Sequence, residues 1–251
     1  MNADIDVKDS KCSKLEKDKK LHYELTKKYF IKNASFREKY YITKNTEEIK
    51  KEIGKRDMWD IYSSSLDGIL QNNSESKSVI DVGCGMGNFT LELVNREQFR
   101  RMVGIDFLKE TLKLACENAK LFKRVTFIEG DLLNIPFNDR SFDITICLNV
   151  LHHIHAKDFG NAIQELARIT NKYLILEIRN KRNIFNFWHN YITLPIFYKN
   201  LPIYTTSTSK VNSLMSNHNF QLQKVGRKVL LSQICGRLVL TYKRTDLEEP
   251  S

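Results

Sequence analysis

The chain has 251 residues, 41% of them apolar, and a formal net charge of +10, enough for one α/β domain with a full core and an appended cap, which makes a second domain unnecessary. No run approaches the ~18 uninterrupted apolar residues of a membrane span, since even Ile184 to Tyr198 is broken by Asn186, His189, Asn190 and Pro195, and the lysine-rich first 20 residues lack the apolar stretch of a secretion signal, so a cytoplasmic location is expected. The five cysteines, Cys12, Cys84, Cys116, Cys147 and Cys235, are odd in number, scattered and free of any C-x-x-C pair, which argues for reduced thiols against a disulfide framework or a zinc site.

In chain order, residues 1–20 read as a charged, frayed tail with little to bury. From Leu21 to Leu70 the pattern is helical in pieces, with Tyr23, Tyr29, Phe30, Phe36, Tyr40, Tyr41, Trp59 and Tyr62 spread among lysines, and predicts a cap. Gln71 to Ser78 is a polar linker. Val79-Ile80-Asp81-Val82 then predicts a buried parallel strand, followed by a turn at Gly83-Cys84-Gly85-Met86-Gly87 in which a ligand can lie against the main chain. The spacing is G-x-G-x-G, not the G-x-G-x-x-G of dinucleotide sites, because Asn88 stands where the last glycine would be. Asp81 at the loop entrance repels phosphates but suits a ligand carrying an ammonium and a sulfonium, which describes S-adenosylmethionine (SAM). Cys84 is a small filler with no nearby His or Cys partner in the sequence.

Met102 to Asp106 reads as a second strand ending in an acid 19 residues after Gly87, close to the ~20-residue offset of a ribose-binding carboxylate. Leu108, Leu112, Ala115 and Ala119 predict a helix with one buried stripe. Val125 to Leu132 is a third strand ending near Asp131, and Ser141 to Ile154 a fourth strand with its loop Leu148-Asn149-Val150-Leu151-His152-His153. Phe159, Ile163 and Leu166 predict another helix, and Tyr173 to Ile178 a fifth strand. A basic, aromatic insertion begins at Arg179 and runs through Ile192. A helix near Lys210 to Asn217 and strands near Phe220 to Val229 and Arg237 to Tyr242 complete the chain, the last two as an antiparallel pair closing the sheet. Alternating β and α elements imply a parallel sheet with helices on both faces and right-handed crossovers. Asp81, Asp106, Asp131 and Asn149 are therefore expected at one sheet edge.

On these four motifs, in this order and over roughly residues 75 to 180, the chain resembles the class I SAM-dependent methyltransferases, in particular the ubiquinone/menaquinone-type group. The resemblance implies a Rossmann-like seven-stranded sheet, with its last strand antiparallel and an N-terminal helical cap. It divides the chain into a tail and cap over 1–72 and a core over 73–247, with an acceptor-side insertion near 179–205. It implies SAM as cofactor and S-adenosylhomocysteine as product. Asp106 would accept from the ribose hydroxyls, with Phe107 beside it. Asp131 would accept from the adenine amino group, and Leu132 would offer its backbone amide to the ring. Leu148 and Asn149 would pass under the methionine part, and Asp81, Gly83, Cys84, Gly85 and Gly87 would form the loop around it.

His152 and His153 carry two readings: one of them is a general base, since imidazole titrates near neutrality, or one fixes the loop by a hydrogen bond. The aromatics after Arg179 wall an acceptor pocket or pack into a lid. No further cluster of Asp or Asn ligands is evident, and no metal is expected. Net charge is +4 over residues 1–60, −2 over 61–178 and +8 over 179–251, so the basic part lies outside the cofactor motifs. It is a solvated surface or a region that attracts an anionic partner. The reading is therefore in-line methyl transfer to O, N or C of a small-molecule or lipid-like acceptor. Two alternatives are an RNA-directed methyltransferase, which lacks a visible RNA-binding module, and a noncatalytic methyltransferase-like scaffold.

Overall fold

A computed structural model of the chain describes residues 17–31, 59–70, 77–96, 99–120, 122, 124–181, 203–227 and 236–247. Helix α1 spans 17–31, and α2 spans Trp59–Leu70. Strand β1, Ser78–Val82, is buried at every position, as befits a central strand covered on both faces. It leads through the glycine loop into α3, Asn88–Arg96. Then follow β2 (Arg101–Asp106), α4 (Lys109–Asn118), β3 (Val125–Glu129), β4 (Phe142–Cys147), a 3-10 turn over Leu151–His153, α5 (Phe159–Ile169), β5 (Thr170–Arg179), α6 (Thr208–Ser216), β6 (Phe220–Gly226) and β7 (Arg237–Arg244). The helices fall where the apolar periodicity places them, with Thr111, Leu112 and Ala115 forming the buried stripe of α4.

The seven strands form one sheet in the order β3-β2-β1-β4-β5-β7-β6. Strands β1 to β5 pair in parallel, whereas β7 runs antiparallel to both β5 and β6. One face packs Ile80, Val103, Leu174 and Leu176 against α5 and α6 through Ile163, Leu166, Val211 and Met215. The other packs Val79, Ile144, Ile175 and Val239 against α2 and α3 through Ile61, Leu66, Ile69 and Leu93. At the far end of β7, the buried Arg244 donates to the carbonyls of Ala167 at 2.7 Å and Thr170 at 2.7 Å and lies over the Phe220 ring. It thereby satisfies carbonyls that the end of α5 leaves without intrahelical partners.

Two expectations change. The charged segment through Lys20 is not frayed to its end: α1 begins at residue 17, and Lys19 pairs with Asp158 before α5. The fifth strand is longer than its apolar stretch because Thr170 and Asn171 use their side chains on Thr145 and Asp143. The linker residues 71–76, the part of the cap over 32–58 and the insertion over 182–202 lie outside the described residues.

Candidate active site

The carboxyl ends of β1 to β4 open into a cavity of about 920 Å³ roofed by α1. Gly83 has φ 79° and Gly85 φ 56°, in the left-handed region that favours glycine. A side chain at Gly83 would collide with Val150 Cγ2 at 2.1 Å, whereas one at Gly85 would meet nothing within 4 Å and project into open space. The loop thus turns tightly at its first glycine and offers bare main chain at the second. The Gly83 and Cys84 amides both donate to the Ile105 carbonyl, at 2.7 and 3.0 Å, and so anchor the loop to β2.

Asp81 is buried and accepts a hydrogen bond from Thr90 Oγ1 at 2.6 Å. Burial pushes its carboxyl up to about 7, the Thr90 bond opposes this, and the nearby Asp106 adds to it. Asp106 uses both oxygens, Oδ2 accepting from the Gly85 amide at 2.8 Å and Oδ1 from the Leu108 amide at 2.9 Å. Burial raises its pKa, while the bonds from Leu108 and Gly85 hold it back. Asp131 Oδ1 accepts from the Leu133 amide at 2.9 Å and orders the turn after β3. Asn149 has φ 62°, a left-handed residue at the end of β4 that turns the loop beneath the cavity.

Asp81, Gly83, Cys84, Gly85, Asp106, Phe107, Asp131, Leu132, Leu148 and Asn149 all line this one cavity. Gly87 does not: it faces the Phe127 ring, which a side chain there would meet at 2.6 Å, so its smallness serves packing of the loop on β3. The Cys84 thiol is held protonated, its pKa raised by burial and by Asp81 and Asp106, in keeping with a filler. The two histidines separate, His153 lining the cavity and His152 facing a small neighbouring one beside Arg179 and Tyr204. His152 is therefore not placed to reach a ligand in the main cavity. Burial is the main cause that lowers both, His153 to about 3, with Arg179 contributing. Both rings stay neutral at physiological pH, and that low basicity weakens either as a proton acceptor.

The cap expected from Leu21 to Leu70 supplies the roof, but which of its residues line the cavity was not read from the sequence. His22, Thr26 and Phe30 recur every fourth residue on α1 and line the cavity. This 3.6-period stripe was the available signal, masked by the lysines spread through the segment. His22 Nε2 donates to the His153 carbonyl at 2.7 Å, since a carbonyl only accepts, and the Tyr23 ring meets Phe107 at 5.6 Å. Tyr62 of α2 and Arg237 of β7 also line the cavity and had no motif to mark them.

A family model described as a methyltransferase domain matches residues 79–172. Demethylmenaquinone methyltransferase of Deinococcus radiodurans is 39% identical over 94 residues, covering 37% of this chain and 38% of that protein. Norajmaline N-methyltransferase of Rauvolfia serpentina is 31% identical over 100 residues, covering 39% and 33%. The aligned stretch thus spans little more than a third of either relative. Among solved structures, magnesium protoporphyrin IX methyltransferase from Synechocystis with bound S-adenosylhomocysteine superposes with a TM-score of 0.63 at 19% identity, over 81% of this chain and 89% of that one. This last likeness concerns the fold. The matched domain, these relatives and the seven-stranded sheet agree in likeness: over residues 79–172 the chain is similar to a methyltransferase domain, and its sheet has the fold of that solved methyltransferase.

Proposed function

We propose that this protein binds SAM in the cavity at the carboxyl ends of β1 to β4 and transfers its methyl group to an O, N or C atom of a small-molecule or lipid-like acceptor. The carrying observation is the convergence on one cavity of an acid at each of three strand ends, Asp81, Asp106 and Asp131, with the bare main chain at Gly85. This donor set fits the ligand. A carboxylate pushed up to about 7 at Asp81 gains from a neighbouring ammonium. The free lone pairs of Asp106 suit ribose hydroxyls, and Asp131 with the Leu132 amide suits an adenine edge. Leu148 and Asn149 support the methionine part. Bound SAM supplies a methyl group already activated by its positive sulfur, so no acid is needed for the leaving group. The protein's own share is alignment of donor and acceptor, an effect worth up to ~7 to 11 kcal/mol. Residues 1–72 serve as tail and cap and 73–247 as the core, with the segment near 179–205 on the acceptor side, and the protein works in the cytoplasm. Among the described residues no helix is long and apolar enough to cross a membrane.

Calorimetry with SAM, S-adenosylhomocysteine and NAD tests the assignment. Micromolar binding of the first two and none of NAD is expected; tighter binding of NAD than of SAM would sink it. Salt-sensitive binding of RNA would move the acceptor from small molecules to nucleic acid.

A further inference from the structure

Among the described buried carboxylates that the cofactor reading leaves unused, Glu177 is the most deeply buried. Glu177 lies two residues before the end of β5 with no exposed surface. Its cross-strand neighbour Val239 packs with Ile61 and Leu66, so Glu177 points to the sheet face covered by α2. There Tyr62 donates its hydroxyl proton to Glu177 Oε2. The other oxygen, Oε1, is buried and meets no hydrogen-bond partner among the described residues. A carboxylate is costly to bury with an oxygen unpaired, and nothing in the packing of α2 requires one. Tyr62 itself lines the main cavity, its ring edge-on to Phe89 at 5.7 Å.

The position along the sheet edge matters as much as the chemistry. From one side, the ends of β3, β2, β1 and β4 carry Asp131, Asp106, the glycine loop and Leu148-Asn149. The next strands are β5, with Glu177, and β7, whose Arg237 is in register with Arg179. If the donor occupies the first four ends, the acceptor meets the fifth and sixth.

Resting on the SAM reading above, we propose that Tyr62 and Glu177 together take up the proton of the methyl acceptor, a molecule presenting a weakly acidic O–H or N–H. As the acceptor's heteroatom–hydrogen bond breaks, its electron pair stays on the heteroatom and forms the new bond to the methyl carbon. The pair of the carbon–sulfur bond returns to sulfur, leaving a neutral thioether. The proton passes to Tyr62 Oη while Tyr62 hands its own to Glu177, which ends as a neutral acid. Burial raises the pKa of Glu177, and the Tyr62 bond, Arg237 and Arg179 restrain the rise, leaving a carboxylate more basic than one in water. The groups facing it are Tyr62, Arg179, Arg237 and Cys147. Acceptors with no proton to lose, such as tertiary amines and thioethers, have no use for the pair.

The test uses the full-length protein and begins with SAM affinity by calorimetry, before any acceptor is added. Methyl-labelled SAM is then offered with phenols, anilines and indoles, and separately with tertiary amines and thioethers. Glu177→Gln keeps an oxygen for the Tyr62 hydroxyl but cannot take the proton; Tyr62→Phe removes the relay. Both are expected to lower kcat by about 10²- to 10⁴-fold with KM for SAM unchanged, and Glu177→Gln to abolish the acid limb of the pH profile. Para-nitrophenol bound to the protein loaded with S-adenosylhomocysteine gives a readout free of turnover: the wild type should ionise it below its own pKa and Glu177→Gln should not. Should one variant fold poorly, the other still decides by this absorbance. Full activity and unchanged ionisation in Glu177→Gln would overturn the dyad, as would transfer only to tertiary amines and thioethers or to no member of either set. A wild-type protein that fails to bind SAM defeats the underlying reading instead, at the first step.

Discussion

Replacing Asp81 by Asn tests whether the site has been kept charged at the expense of stability. In the fold the Asp81 carboxyl is pushed up to about 7 from an ordinary 3.8, chiefly by burial. Its folded pKa is raised, so between pH ~4 and ~7 the folded state holds a proton that the unfolded chain releases, and stability falls as pH rises through that window. Above pH 7 the loss is complete and levels off. At 1.36 kcal/mol per unit, its ceiling is about 4 kcal/mol. Asn escapes it, and its side-chain oxygen still accepts the bond that Thr90 donates at 2.6 Å. Urea unfolding of the ligand-free wild type and Asp81→Asn at several pH values should show no gap near pH 3.5, a gap widening toward pH 7 in favour of Asn, and a plateau beyond. SAM affinity should move the other way, weaker in the variant and, in the wild type, declining as pH drops below 7. A gap that is flat with pH, or a variant less stable than wild type at pH 8, would refute the account of Asp81 as a buried, unpaired charge.

Asp106→Ala should cost stability as well as SAM affinity, because the carboxylate holds the Gly85 and Leu108 amides; each charge-assisted bond lost is worth roughly 1.5 to 3 kcal/mol. Asp106→Asn retains one acceptor oxygen and should lose proportionally more affinity than stability, and unchanged affinity by calorimetry would remove its ligand role. Gly85→Ala should destabilise by only about 1 to 2 kcal/mol, the cost of a left-handed alanine, yet weaken SAM binding by placing a methyl in the open space beside the loop. Gly83→Ala should instead lower the melting temperature more strongly through its 2.1 Å collision with Val150; equal effects of the two on stability would contradict the division of roles. Arg244→Met should destabilise by about 2 to 4 kcal/mol in chemical denaturation, since it leaves buried carbonyls of Ala167 and Thr170 unpaired, with SAM affinity of the folded fraction unaltered.

Strand and helix order, the parallel run of β1 to β5 and the cavity-lining acids were legible because they depend on local pattern. Apolar runs bounded by glycine and aspartate mark buried strands that end at one edge, and periodicity of 3.6 marks the helices between them. The separation of His152 from His153 was not legible: their rings lie only 4.0 Å apart on the 3-10 turn, and only packing tells which cavity each lines. The same holds for Gly87, a loop glycine by motif and a packing glycine by its neighbour Phe127.

The residues that close the site came from far away in the chain. His22 reaches the His153 carbonyl across 131 positions, and Tyr62 reaches Glu177 across 115. No spacing rule encodes such meetings. By itself, then, the sequence determined the sheet, its edge and the acids along it, because backbone conformation and burial respond to neighbours within a few residues. Only the tertiary structure decided which residues of the cap helices line the cavity and that Tyr62 at its edge meets the buried Glu177, because those contacts arise where separate helices pack on one sheet.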